Sequence, residues 1–276
     1  GAFLLAFNTL TLDMAPAHRR GEALGLMSVA PPLSLAIAPM VSENIRIVSG
    51  SNYFLLFLIP AFVAVVSLLI ASLIKEPKLT TRDTYKGALL SRKVLFPSLA
   101  IIFMTYNLGV FFTFLPLLGE NRGIETIGSF FTVFALTSIL LRPIAGWLSD
   151  RLGRAEVFLP SLFIASSGLI TIAFSYSIEA LLLGAFLFGI GFGSGHASIM
   201  AMAADNLPVV ERGVGMATFT ASFDLGIVLG SMTFGVLLGW FSFTSLFILC
   251  GILTLMPLLL YLLRIRLRRR AAAHGT

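Results

Sequence analysis

Charge is what this 276-residue chain has least of: Asp, Glu, Lys and Arg make up 12% of it, about half the roughly 25% of an average soluble domain. With 57% hydrophobic residues and a mean hydropathy of +0.97, too little polar surface remains to cover a globule. A water-soluble domain is excluded. Cysteine occurs once, as Cys250 inside an apolar run, so neither an intramolecular disulfide nor a cysteine-based metal site is expected. Histidine occurs three times, and neither H-E-x-x-H nor G-x-S-x-G is found. The constellations of a zinc protease or an α/β-hydrolase are therefore missing. No catalytic residue, metal site or cofactor is expected, and the reading is not that of an enzyme. Acidic residues are also few, 13 against 19 Lys and Arg, which leaves a net charge of +6. In so apolar a chain that excess is first explained by orientation in a bilayer rather than by nucleic acid.

What the chain does have is long apolar runs. Read against their breakers, they fall at 23–41, 52–74, 95–118, 127–148, 157–175, 180–202, 214–238 and 244–263. About 20 residues at 1.5 Å each span the roughly 30 Å hydrocarbon core, so eight complete helical spans are predicted. Strands of a membrane barrel would be about ten residues long and would alternate apolar with polar; these runs are too long and too continuous. Residues 1–12 form a further apolar stretch ending at Asp13, too short to cross, and read as the end of a ninth helix. The fold class is an all-α membrane protein.

Sorting the loops alternately places 16 of the 19 Lys and Arg on one side: Arg19 and Arg20, the six between Lys75 and Lys93, Arg151, Arg154, Arg212, and five between Arg264 and Arg270. The other side has Arg46 and Arg122, while Arg142 lies inside a span. The positive-inside rule makes the rich side, and with it the C-terminus, cytoplasmic. The five arginines near the end read mainly as a topological stop, with anionic lipid as a possible partner.

An internal repeat is visible at a constant offset of 192 residues: Asp13, Pro16, Arg20 and Gly21 match Asp205, Pro208, Arg212 and Gly213. Both copies join the end of one span to the start of the next, which points to two parallel halves by duplication. The predicted organisation is the remainder of a first bundle at 1–74, a linker at 75–93, a second six-helix bundle at 94–265 and a basic tail at 266–276.

Between the spans at 127–148 and 157–175 stands Gly146-Trp147-Leu148-Ser149-Asp150-Arg151-Leu152-Gly153-Arg154. This resembles the cytoplasmic G-x-L-x-D-R-x-G-R signature of the major facilitator superfamily at every specified position. The resemblance implies twelve helices in two bundles, a small-molecule substrate, transport by alternating access, residence as a monomer in the inner membrane, and a gating role for Gly146, Asp150, Arg151, Gly153 and Arg154. It further implies that Asp150 approaches a helix of the opposite half near Gly21 and Glu22, with Arg151 or Arg154 near Asp13. A short reversal needs glycine, and contacts between charges and helix ends, each worth roughly 0.3 to 1 kcal/mol, suit a latch that opens and closes. Asp13, Arg20, Asp205 and Arg212 read as its counterparts in the repeated loops. The resemblance has one departure: where antiporters of the family carry G-P-x-x-G-G, this chain has Ala38-Pro39-Met40-Val41-Ser42-Glu43.

Three ionisable residues lie well inside spans, Arg142, His196 and Asp224. Burial makes each costly unless it is paired or faces water, so each is a functional candidate. Counted at 1.5 Å per residue from their span midpoints, they sit roughly 6, 7 and 3 Å toward the basic side, one shared layer. Two readings follow, a proton-coupling group and a static Arg142–Asp224 pair. By the resemblance, the first and fourth helices of each half line a cavity, which adds Tyr106 and Asn107 as substrate contacts, with Phe103, Phe111 and Phe114 as apolar wall, although Phe at this spacing more often packs or faces lipid. Glycines 189 to 195, 226 to 230 and 235 to 239 read mainly as helix packing. The leading function is proton-coupled export of small apolar compounds or metabolites. The alternatives are a proton symporter for sugars or organic acids, and a receptor or scaffold that transports nothing.

Overall fold

The computed structural model describes residues 53–73 and 90–263, apart from 125, 209 and 210, together with Arg266 and scattered positions between 33 and 45. The chain divides into two compact units, Gly1–Thr84 and Tyr85–Thr276. In the first unit one helix is described in full, α1 at Tyr53–Ser72, on the span predicted at 52–74. The span at 23–41 is touched only at isolated positions; residues 1–12, most of the linker and nearly all of the tail lie outside the described residues.

The second unit contains α2 (Leu95–Arg122), α3 (Gly128–Leu152), α4 (Arg154–Ala173), α5 (Ile178–Asp205), α6 (Arg212–Leu238) and α7 (Phe243–Thr254). All six are long and apolar enough to cross a membrane once α7 is followed through to Leu263. Six complete spans are thus described, against eight predicted. Pro257, which lacks an N–H, sits just after the interruption in α7. The predicted boundaries run short at the polar ends. Ser149, Asp150 and Arg151 belong to α3, because a charged residue stops hydrophobicity without stopping the hydrogen-bonded ladder. The signature segment therefore contains a single non-helical residue, Gly153.

Helices α2 and α6 pack as a pair, and α5 packs on α3 and α4. These contacts are backbone to backbone. A Cβ on Gly109 of α2 would lie 2.0 Å from the Ile227 carbonyl oxygen, and one on Gly230 of α6 would lie 2.0 Å from that of Tyr106. On α5, a Cβ on Gly191 would meet the Ala165 nitrogen of α4 at 2.3 Å, and one on Gly193 the Ser138 oxygen of α3 at 2.7 Å. Small residues let helices approach where lipid tails offer no hydrophobic contrast. The packing assigned to the glycines of α5 and to Gly226 and Gly230 is what this geometry displays.

The centre of the unit is aromatic. Phe111 of α2 touches Phe130 of α3 at 5.1 Å, Phe188 of α5 at 4.9 Å and Phe247 of α7 at 6.1 Å between ring centroids. Phe114 lies 4.8 Å from Phe234. Phe111 and Phe114 are buried, in keeping with packing: edge-to-face, tilted and stacked contacts join five helices through these rings.

Replacing Gly109 or Gly230 with Leu drives a side chain into an opposing backbone that cannot move aside. Overpacking of this kind costs about 1–3 kcal/mol, so either variant is expected to melt about 5 °C or more below the parent in detergent. Gly213→Ala, at a position where an added Cβ meets nothing within 4 Å, is expected to melt with the parent.

Candidate functional site

Within the spans, the polar residues come from different helices. His196 of α5 has its ring stacked on Phe192 at 5.8 Å, edge-on to Phe223 at 5.6 Å and tilted against Phe219 at 6.5 Å, the last two from α6. Arg142 stands on α3, which packs against α5. Asp224 follows Phe223 on α6, so the helices carrying Arg142 and Asp224 flank the one carrying His196 on two sides. All three side chains keep partial exposure. The His196 ring is thus enclosed in phenylalanine, beside the helices that carry Arg142 and Asp224.

Tyr106 and Asn107, adjacent in sequence, point to different neighbours, as a step of about 100° around a helix requires. The Tyr106 hydroxyl shares a 2.7 Å hydrogen bond with Thr233 Oγ1 of α6 and stays partly exposed. Asn107 is wholly buried. Its Nδ2 donates to Thr254 Oγ1 of α7 at 2.9 Å and to the Phe103 and Met104 carbonyls. Its placement as a substrate contact is corrected: Asn107 ties α2 to α7. Thr233, which the sequence reading passed over, takes its place beside Tyr106.

At the basic end, Gly153 adopts φ 113 and ψ 153 between α3 and α4, a left-sided conformation that favours glycine. A Cβ there would also lie 2.1 Å from Glu156 Oε2. This reversal delivers Arg154 to three partners. Its Nε donates to Asp205 Oδ2 at 2.8 Å, and its Nη1 donates to Ser149 Oγ at 2.9 Å and to Asp150 Oδ1. One guanidinium thus joins the end of α3, the start of α4 and the end of α5. Arg151 stacks 4.1 Å over the Trp147 ring. Lys93 meets Glu211 at 2.7 Å, tying the approach to α2 to the start of α6. The loops that the sequence sorted to one side therefore share one end of this unit. Gly146 borders open space and leaves the reversal to Gly153. Asp13, Arg20, Gly21 and Glu22 lie outside the described residues, as does the side chain of Arg212.

The opposite end holds a site that the sequence reading missed. Arg122, at the end of α2, donates from Nη1 to the Ile172 carbonyl at 3.0 Å and to that of Ser175. Its Nη2 donates to the Ala173 carbonyl at 2.8 Å and to Thr244 Oγ1 at 3.1 Å. Its guanidinium also lies 4.6 Å over the Tyr176 ring. The last carbonyls of α4 have no intrahelical donor, and one cation satisfies several of them while reaching the start of α7. The available signal was an arginine on the side that is otherwise poor in basic residues. Cys250 is buried and free. Among the described residues no group of three His, Cys, Asp or Glu is placed to hold a metal.

A family model described as Major Facilitator Superfamily matches residues 95–275. An uncharacterized MFS-type transporter of Methanocaldococcus jannaschii is 25% identical over 240 residues, covering 81% of this chain and 61% of that protein. The class B tetracycline resistance protein of Escherichia coli is 34% identical over 134 residues, 47% of this chain and 33% of its own length. The staphylopine export protein of Staphylococcus aureus is 20% identical over 279 residues, 95% of this chain and 70% of its own. The chain spans less than two thirds of the first two.

The two arginine hubs differ in what their loss exposes. Arg122→Ala leaves several helix-end carbonyls without a charged donor, at about 1.5–3 kcal/mol for such a bond, and is expected to lower the melting temperature by several degrees. Asp205→Asn removes one arm of a largely solvated pair, worth about 0–1 kcal/mol, and is expected to shift it by no more than a degree or two. Melting curves of both variants in one detergent check the order.

Proposed function

The chain belongs to the Major Facilitator Superfamily, and from that premise we propose that it serves as a secondary active transporter, coupling proton movement to export of small, largely apolar compounds by alternating access. The single observation that carries the coupling is the placement of three ionisable residues inside spans. Arg142, His196 and Asp224 stand on three helices of one unit, with His196 enclosed by Phe192, Phe219 and Phe223. Ionisable residues inside spans mark ion pathways. Export is supported by similarity to proteins named for tetracycline resistance and staphylopine export. An apolar substrate fits the phenylalanine surroundings, with the Tyr106 and Thr233 hydroxyls as the nearest polar handles.

The basic end faces the cytoplasm in this reading, as does the C-terminus, and the protein resides as a monomer in the inner membrane. The end of α3 supplies the gating segment, in which the Arg154 contacts to Asp150 and Asp205 break and re-form during the cycle. Their exposure keeps that exchange inexpensive. A second reading, substrate entry by proton symport, is favoured by one observation: Ala38, Ser42 and Glu43 stand where antiporters of the family carry glycine.

Everted vesicles test the coupling, with tetracycline as the first probe and a protonophore to collapse the pH gradient. The parent is expected to accumulate the probe only with the gradient, and Asp224→Asn to cut the gradient-driven part about tenfold or more. Equal losses with and without a gradient would instead assign Asp224 to a static ion pair. Asp150→Asn is expected to slow transport with little loss of protein in the membrane, and an unchanged rate would remove the gating role. Probe leaving everted vesicles down its own gradient, in company with protons, would establish symport.

A further inference from the structure

The outer face of α3 has a composition that packing within its unit does not explain. Leu136, Leu140, Ile144, Trp147 and Arg151 recur at intervals of four, four, three and four residues, which places them on a stripe about 80° wide at 100° per residue. Along it Leu136 is 47% exposed, Leu140 66%, Ile144 57% and Trp147 54%. Phe130, Phe134, Ser138 and Ala145 of the same helix are buried. From Leu136 to Trp147 the stripe rises about 17 Å, close to half of the roughly 30 Å hydrocarbon core. It therefore runs the depth of one leaflet and ends in an indole, the ring that favours the boundary between acyl chains and headgroups.

Above the indole stands a cation whose charge is left unspent. Arg151 is exposed and lies 4.1 Å over the Trp147 ring, but it makes no ion pair among the described residues. Its neighbour Arg154 is engaged by both Asp150 and Asp205, and the same contacts occupy the one carboxylate adjacent to Arg151. Stacking fixes the guanidinium plane and leaves its edge of N–H donors free, the geometry that pairs bidentately with a phosphate. A leaflet-deep apolar stripe, an interfacial indole and a held guanidinium, unpaired among the described residues, follow one another in the order in which a phospholipid presents acyl chain, glycerol region and phosphate.

We propose that this face of α3 binds one anionic phospholipid, with Arg151 on the phosphate, Trp147 beside the glycerol region, and Ile144, Leu140 and Leu136 along an acyl chain. The site does not depend on the transport reading. It calls on Arg151 and on none of the tail arginines, which attract anionic membrane surface as a group.

Native mass spectrometry of the purified protein, titrated with phosphatidylglycerol or phosphatidylcholine, tests the site. The parent is expected to fill a first one-lipid adduct with phosphatidylglycerol well before phosphatidylcholine. Arg151→Gln is expected to weaken that adduct about fivefold, the effect of one basic residue at an anionic surface. Arg151→Lys is expected to retain part of it, and Trp147→Leu to weaken it with the charge intact. Exchange of Arg268, Arg269 and Arg270 for Gln is expected to leave the first adduct in place. Equal filling by the two lipids, or a first adduct lost with the tail arginines and kept in Arg151→Gln, overturns the proposal. On the unaltered protein, phosphatidylglycerol with a photoactivatable acyl chain is expected to label peptides containing Leu140 and Ile144, and labelling confined to other helices overturns it equally.

Discussion

The second unit depends on helices meeting through their backbones. In a bilayer, lipid tails are as apolar as leucine, so association draws on van der Waals packing and on polar contacts instead. Gly109, Gly226 and Gly230 bring α2 and α6 together so closely that an added Cβ would lie 2.0 Å from an opposing oxygen. The Thr105 hydroxyl then reaches the Phe223 carbonyl of α6 at 2.9 Å, a bond that such an approach makes possible. Glycines 189, 191 and 193 set α5 against α3 and α4 in the same manner, and this fixes how near His196 stands to the helices that carry Arg142 and Asp224.

Polar residues are then distributed by depth. The ends of the unit are tied by arginines: Arg154 among side chains at the basic end, Arg122 among carbonyls at the other. These ties differ in character. Arg154 exchanges contacts with carboxylates that water also reaches, and such pairs open at little cost. Arg122 supplies a charged donor to carbonyls at the end of α4, a role whose loss costs more. Between the two ends lies His196, enclosed by Phe192, Phe219 and Phe223.

Much of this was legible along the chain. The apolar runs gave every helix of the second unit to within a few residues, except that the polar ends of α2, α3 and α5 continue beyond the hydrophobic stretch. The alternating loop charges sorted Arg151, Arg154 and Asp205 to one side, and the contact of Arg154 with Asp205 places them at one end of the unit. The partners were not legible. Nothing in the spacing of Asp205 said that Arg154 would reach it, and Arg122 looked like a stray charge because carbonyl groups carry no sequence signal. Phe spacing along α2 left wall and packing both open, and Phe111 and Phe114 belong to the packed centre.

The sequence by itself determined where the six spans of the second unit fall and the end at which their basic loops lie, because hydropathy and charge act along one dimension, the membrane normal. Tertiary structure alone decided which way each side chain faces, as with Tyr106 toward Thr233 and Asn107 toward Thr254. In water an amphipathic stripe marks the inner face of a helix. Here core and lipid are equally apolar, the stripe disappears, and the rotation of each helix is set only by where small residues allow a neighbour to approach.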